Sequence, residues 1–344
     1  MKNFAGFFSL AIAAKASDIH LVGGEKPMIR IDGELREIDE KSLPNADLEA
    51  AIFGILTAEQ KKRWKKELDI DFGYEVEDVR FRVNLHQQEG KIGLAARLIP
   101  KDIPTPDDLR FEPRLRDMAD LLDGLVLVVG PTGHGKSTTI ASLIEEINKT
   151  RRAHIVTIED PIEFLFTDKK CLIEQREIGI DTKSFASALK HVLRQDPNVI
   201  LVGEMRDPET IATVLTAAET GHLVFSTLHT SSAAEAVERI VDVFDGAKQR
   251  QVLIQLGAVL RGIVSQQLLP SVDGKRVAAR EILINNSAVA NLIKENNISQ
   301  LPSVMQTGAK EGMITMDKSI QALVEAGLVD RDVAARRMGK QKKV

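Results

Sequence analysis

The sequence predicts an α/β protein, a parallel sheet flanked by helices and preceded by a smaller α+β module. Two observations carry the main domain. Continuous apolar runs at 125–129, 155–158, 199–202 and 223–227 read as strands buried on both faces. Helical patterns separate these runs, and such alternation places helices on both faces of a parallel sheet. The third observation lies upstream, where short strands and turn dipeptides fill residues 17–99 without that rhythm.

In chain order, Phe4, Phe8 and Ile12, with Phe7, Ala11 and Ala14, recur at helical spacing and predict an amphipathic helix. The same apolar stretch after Met1-Lys2-Asn3 resembles a minimal secretory leader. The helix is the favoured reading. Residues 17–22 form a short strand, and 28–31 and 34–38 flank Asp32-Gly33, a hairpin turn pair. Thr57-Ala58-Glu59-Gln60 is a capping box that opens a helix running through Trp64. Residues 80–86 and 92–99 flank Glu89-Gly90 as a second hairpin. Pro100, Pro104, Pro106 and Pro113 then exclude a regular helix or central strand. That stretch reads as a semi-stiff linker between two bodies that move relative to each other. The expected organisation is a first domain over 1–99, a linker over 100–113 and a main domain over 114–344. The last part, from about 250, is expected to be mostly helical, with a hairpin near Asp273-Gly274.

Inside the main domain, Ile140, Leu143, Ile144 and Ile147 share one helix face. Asp207-Pro208-Glu209 supplies an N-cap and a proline at N1 ahead of Ile211, Val214, Leu215 and Ala218. Ser232 and Glu235 make a capping box before Val237, Ile240, Val241 and Phe244.

The chemistry concentrates between these elements. Gly130-Pro131-Thr132-Gly133-His134-Gly135-Lys136-Ser137 fits the phosphate-loop pattern G-x-x-x-x-G-K-S, with a buried strand before it and an amphipathic helix after it. Gly130, Gly133 and Gly135 let the backbone wrap a phosphate, and the N–H groups around Thr132, His134 and Thr138 stand where a helix start attracts anions. Lys136 is expected to hold the β/γ-phosphates of ATP, and Ser137 its Mg²⁺. His134 is an uncommon loop residue and is expected to point to solvent. Glu204 ends the 199–202 strand and is the expected general base; ion pairing with Arg206 is the plainer reading. Gly203 occupies the usual aspartate slot, so the metal is expected to be held there through water. Glu159, Asp160 and Glu163 crowd another strand end, either beside the Mg²⁺ of a nucleotide or as a solvated acidic loop. His222 and His229 bracket the 223–228 strand, one at each end, in a phosphate-sensor or subunit-contact role or as ordinary polar residues. Arg80, Arg82 and Arg97 alternate along the hairpin of the first domain, forming a solvated sheet face or arginines delivered to a nucleotide.

Bulk properties narrow the field. With 344 residues, two domains are the natural expectation. A net charge of -4 and no basic, aromatic stripe speak against a nucleic-acid partner. The basic residues Arg336, Arg337, Lys340, Lys342 and Lys343 form a frayed tail or an anionic contact. The single cysteine, Cys171, permits neither an intrachain disulfide nor a cysteine zinc site. No apolar run approaches the ~20 residues of a membrane span.

Taken together, these residues resemble the type IV pilus retraction ATPases, the PilT family of the secretion ATPase superfamily. The resemblance runs over almost the whole chain. It includes Ala16-Ser17-Asp18-Ile19-His20-Leu21, the phosphate loop, an Asp box at 157–164, an atypical Walker B at Gly203-Glu204-Met205-Arg206-Asp207 and a His box from Thr220-Gly221-His222 to His229-Thr230. Ala288-Val289-Ala290-Asn291-Leu292-Ile293-Lys294-Glu295 resembles the family's C-terminal retraction signature. The sequence departs from the pattern at His134, at Ala290 where arginine is typical, and in an unusually apolar first helix. The resemblance implies a RecA-like P-loop NTPase core with an N-terminal PAS-like domain. It implies a homohexameric, Mg²⁺-dependent motor ATPase, cytoplasmic and peripheral at the inner membrane. The implied partners are an inner-membrane pilus platform protein and a paralogous retraction ATPase. It also implies roles at the site for Glu163, Glu204, His222 and His229, with Arg82 and Arg97 near the phosphates.

Three other readings compete. An accessory or assembly-type ATPase is the nearest; assembly ATPases typically carry a four-cysteine insertion, which one cysteine cannot supply. A non-hydrolysing switch or adaptor is disfavoured by Lys136, Glu204 and His229. A nucleic-acid motor is disfavoured by the charge balance.

Overall fold

The computed structural model describes residues 4–31, 33–38, 41–99 and 102–339. The expectations that fall on Met1-Lys2-Asn3, Asp32, Pro100 and the lysines at 340, 342 and 343 lie outside those residues. The chain forms two compact units. One takes the chain up to Asp102 together with Pro161–Leu165, and the other takes Ile103–Asp160 and the chain from Phe166 onward.

The first unit runs α1 (Phe4–Ala13), β1 (Asp18–Val22), β2 (Met28–Ile31), β3 (Glu34–Glu37), α2 (Asn45–Ile55), α3 (Ala58–Glu67), β4 (Asp69–Val76), β5 (Val79–Gln88) and β6 (Lys91–Leu98). Its six strands form one antiparallel sheet in the order β3-β2-β1-β6-β5-β4. The hairpins close as the turn pairs dictate. Ile31 pairs with Glu34 around Gly33, and Gln88 with Lys91 around Glu89 and Gly90. Both Glu89 (φ 48°) and Gly90 (φ 72°) are left-handed, as a turn matched to the strand twist requires. Thr57 and Gln60 make the reciprocal capping box. The apolar first helix is amphipathic in place: Phe4, Phe7, Phe8 and Ala11 are buried. Phe8 meets Phe81 edge-on at 4.9 Å and Tyr74 at 5.0 Å. Each such ring pair adds about 0.5–1.5 kcal/mol beyond the area buried.

The second unit runs α4 (Pro113–Asp117), β7 (Gly124–Val129), α5 (Lys136–Thr150), β8 (His154–Glu159), β9 (Leu172–Glu177), α6 (Phe185–Val192), β10 (Val199–Val202), α7 (Pro208–Glu219), β11 (Leu223–Leu228), α8 (Ala233–Asp242), α9 (Gly246–Val259), β12 (Leu260–Pro270) and β13 (Arg276–Ile284). Short helices follow: α10 (Ser287–Lys294), α11 (Leu301–Thr307), α12 (Met316–Glu325) and α13 (Arg331–Arg337). The sheet order is β13-β12-β7-β11-β10-β8-β9, parallel except at the β12–β13 hairpin. Every residue of β7, β10 and β11 is buried, which is why these strands read as unbroken apolar runs. Asp207 caps α7 by accepting from the Thr210 N–H at 2.8 Å, with Pro208 at N1. Ser232 caps α8, while the Glu235 carboxylate turns back to Ser231 rather than to Ser232.

After 250 the chain is helical apart from a hairpin whose turn holds Asp273 and Gly274, and the strands of that hairpin, β12 and β13, extend the main sheet beyond β7. One expectation needs correction: the linker is shortened. From Ile103 onward the segment belongs to the second unit, and its turn is fastened there by Arg280, a guanidinium on β13. That side chain donates to the carbonyls of Leu109 (2.9 Å) and Arg110 (3.2 Å) and pairs with Glu112 at 3.2 Å. It also lies 5.2 Å from the centre of the Phe111 ring. The turn is closed by its own hydrogen bonds and braced by this buried cation.

Candidate nucleotide site

The phosphate loop leaves β7 and enters α5. Gly130 has φ 146° and Gly135 φ 78°, and a Cβ on Gly130 would stand 2.3 Å from the Gln266 carbonyl oxygen. Only glycine fits that approach of loop to strand. Around Gly133 (φ 77°) the space is open, which leaves room for a ligand against the backbone. No acidic residue occupies the first turn of α5, so its positive end is free to meet an anion. Thr132 and Gly133 are exposed, and Ser137 and Thr138 half-buried. Lys136 is buried, and its Nζ donates to the carbonyls of Gly130 (2.8 Å) and Pro131 (3.0 Å). These features suit a phosphate chain, and the Ser137 hydroxyl is the oxygen donor a nucleotide-bound Mg²⁺ takes. Among the described residues no group of three or more His, Cys, Asp or Glu side chains could hold a metal by itself.

His134 does not point to solvent as expected. It is half-buried, its Nδ1 accepts the Leu268 N–H at 3.0 Å, and its carbonyl accepts from Gln266 Nε2 at 2.8 Å. Burial, with the charges of Arg337, Lys136 and Arg276, holds its imidazole below the ordinary value and so neutral. The histidine splices the loop to β12.

At the end of β10, Gly203 donates to the Ile158 carbonyl at 2.8 Å, and a Cβ there would come within 3.3 Å of the same oxygen. A side chain in that slot would require the neighbouring backbone to give by a few tenths of an ångström. Glu204 follows, its side chain only 13% exposed, with Arg206 at 2.7 Å and His229 Nε2 at 3.3 Å. His229 Nδ1 in turn lies 3.3 Å from Thr132 Oγ1. An unbroken set of contacts therefore runs from Arg206 through Glu204 and His229 to the phosphate loop. Parallel pairing of β7, β10 and β11 makes this possible, since it brings the C-terminal ends of all three strands to one edge of the sheet.

The same pairing separates the two histidines. The His222 carbonyl accepts the Gly124 N–H, at the start of β7 and the opposite edge of the sheet. At about 3.3 Å per residue, the six-residue β11 keeps it about 20 Å from His229. Its Nδ1 contacts the Ala217 carbonyl at 2.9 Å. His222 is thus not part of the phosphate site of its own chain.

The acidic residues at and beyond the end of β8 also divide. Glu159 is buried, accepting from Thr157 Oγ1 (2.6 Å) and Gln175 Nε2 (3.3 Å), so it is not a solvated loop residue. Glu163 falls with the first unit and lies 3.9 Å from Arg82. Arg82 and Arg97 face each other across β5 and β6, and Arg97 Nε donates to Asp18 Oδ1 at 2.8 Å. Burial pushes the Asp18 carboxyl up, but hydrogen bonds from Ser17 and Arg97 and the charge of Arg97 outweigh it, and the net shift is downward. A depressed carboxyl stabilises the fold above its unfolded value and loses that contribution as pH falls through the folded one. The first unit is therefore expected to lose stability below about pH 4, and Asp18→Asn to flatten that acid limb in thermal melts. An unchanged acid limb would show that the pair contributes nothing.

The profile of the type II/IV secretion system protein family matches residues 3–328. This chain belongs to that family. Among the relatives, the type IV pilus retraction ATPase PilT of Pseudomonas aeruginosa is 47% identical over 94% of this chain and 95% of its own. A twitching motility protein of Neisseria gonorrhoeae is 46% identical over 96% of this chain and 90% of its own. A crystal structure of the pilus retraction motor PilT with bound ADP superimposes with a TM-score of 0.90 at 44% identity, over 98% of this chain and 97% of that one. The RecA-like core with its N-terminal domain that the motifs imply is therefore the fold of this family member. No helix among the described residues is long and apolar enough to cross a membrane.

Three residues packed behind the phosphate loop, outside the binding surface itself, escaped the motifs: Thr139, Gln266 and Arg280. Gln266 accepts from Thr139 Oγ1 and from Arg280 Nε, both at 2.8 Å, while donating to the His134 carbonyl. The one available signal was a polar triplet, Ser265-Gln266-Gln267, between the apolar residues 263–264 and 268–269.

Proposed function

We propose that this chain is the motor ATPase of type IV pilus retraction, binding ATP at 130–137 and hydrolysing it. The observation that carries hydrolysis is Glu204, held between Arg206 and His229 at the strand edge that also presents the phosphate loop. Lys136 leaves its loop carbonyls to bind the β/γ-phosphates. Ser137 holds Mg²⁺, which neutralises phosphate charge when bound. Glu204 accepts a proton from the attacking water. His229 holds the Glu204 carboxylate on one nitrogen and Thr132 on the other, so the base and the loop keep one geometry. Glu163, Arg82 and Arg97 are assigned to charge stabilisation, and His222 to a subunit contact, on the family resemblance. The same resemblance supports a cytoplasmic homohexamer working at the inner membrane against a pilus platform protein, with or without a paralogous ATPase.

Retraction itself is supported by the identity to PilT over nearly the whole of both chains. Its test is deletion of the gene in a strain without a paralogous retraction ATPase. Surface pili should increase in number and surface motility should be lost, and the Lys136→Ala gene should restore neither. Unchanged pili and motility would count against retraction.

A further inference from the structure

Gln266 and Arg280 form a buried hinge of hydrogen bonds that the catalytic reading does not use. Both residues are all but inaccessible to solvent, at 2% and 1% exposure, in β12 and β13. A buried amide and a buried guanidinium are costly unless every donor and acceptor finds a partner. Here the partners divide into two groups. On one side stand the phosphate loop and its helix: the His134 carbonyl takes the Gln266 amide hydrogen, and the Thr139 hydroxyl donates to the Gln266 oxygen. On the other side stands the turn that opens the second unit, whose Leu109 and Arg110 carbonyls and Glu112 carboxylate take the Arg280 hydrogens. The junction is a single atom, Gln266 Oε1, which accepts from Thr139 and from Arg280 Nε together.

We propose that Gln266 and Arg280 are positioning residues that couple the state of the phosphate loop to the turn at 105–112. A nucleotide that draws on the loop amides near His134 shifts the carbonyl that anchors Gln266. Gln266 cannot move without breaking its bond to Arg280, and Arg280 cannot move without releasing two backbone carbonyls. Packed networks of this kind respond by switching between discrete arrangements rather than by bending. The turn is a readable output, because its own amides are bonded internally: Leu109 to the Thr105 carbonyl, Arg110 to Asp107 and Phe111 to Pro106.

The proposal rests on nucleotide binding at 130–137, and the experiment separates the two. Amide hydrogen exchange at 109–111 is followed in the full chain with and without Mg·ADP, beside direct measurement of the ADP Kd. In the parent chain ADP should change exchange at these amides by at least about fivefold, the lower end of ordinary site-to-site coupling. In Gln266→Met and in Arg280→Lys, ADP should still bind within about threefold of the parent Kd while the response at 109–111 disappears and the response of α5 amides remains. Gln266→Glu guards against misfolding of the methionine variant. It keeps both acceptor contacts, loses only the donor to His134, and should uncouple in the same way. Absence of ADP binding in the parent chain would overturn the nucleotide reading and this inference with it. Normal ADP binding with no response at 109–111, or a response that survives in all three variants, would overturn the coupling alone.

Discussion

Lys136→Ala is expected to abolish nucleotide-dependent turnover. The Lys136 ammonium is the one cation in the loop, buried and held against the carbonyls of Gly130 and Pro131 at the base of the phosphate cradle. Charge on the transferring phosphoryl group spreads over its equatorial oxygens, and catalysis of that transfer is almost entirely positioning and electrostatics. Removing one preorganised donor from such a site costs about 10²–10³ in kcat, and here the ground-state anchor for the β/γ-phosphates goes with it. Folding of the variant is checked separately, because the alanine removes the donor to the carbonyls of Gly130 and Pro131. The check is steady-state phosphate release together with ADP affinity, with far-ultraviolet circular dichroism to confirm folding. Turnover within threefold of the parent chain would remove Lys136 from the site.

Glu204→Gln is expected to separate binding from chemistry. The amide has the shape of the carboxylate but cannot accept a proton from water, and positioned general bases contribute about 10²–10⁴-fold. Turnover should fall by that order while ATP still binds, since Lys136 and the loop amides are untouched. The alternative is an ion-pairing role with Arg206, which lies 2.7 Å away. The two readings predict different losses. A structural pair would lower thermal stability and leave hydrolysis intact, whereas a general base would lose hydrolysis at nearly constant stability. Normal hydrolysis by the Glu204→Gln protein would refute the base assignment.

The strands, the caps and the phosphate loop were legible because their determinants are local. A strand buried on both faces is an unbroken apolar run, as in β7, β10 and β11. A cap is an oxygen three residues from the amide it satisfies, as at Asp207 and Ser232. Glycines at positive φ mark a loop that side chains would fill. The His box was legible as a spacing but not as a geometry. Seven residues apart, His222 and His229 read as one at each end of a strand, but only the parallel register of β11 with β7 decides which of the two lies at the edge that carries the phosphate loop.

Residues joined across long stretches of chain left little trace. Thr139 and Gln266 are 127 positions apart, and Arg280 reaches back 170 positions to the Arg110 carbonyl. Nothing in the neighbourhood of any of them announces the others. For the same reason 100–113 read as a semi-stiff linker between two bodies: its prolines are visible, but the cation that fastens its second half comes from β13. His134 looked like a harmless departure, since its partner, the Leu268 N–H, lies 134 positions away.

The sequence by itself determined that this protein has a parallel α/β core with a phosphate loop, a carboxylate at the next strand end and an α+β module before it. Those features follow from the side-chain periods of strands and helices and from the backbone freedom of glycine, all of which act over a few residues. Tertiary structure alone decided which residues face the site. It brought His229 to Glu204 and left His222 behind, and it tied His134 and the 105–112 turn to Gln266 and Arg280. Buried polar groups must find partners wherever the fold brings them, and that requirement has no period in the chain.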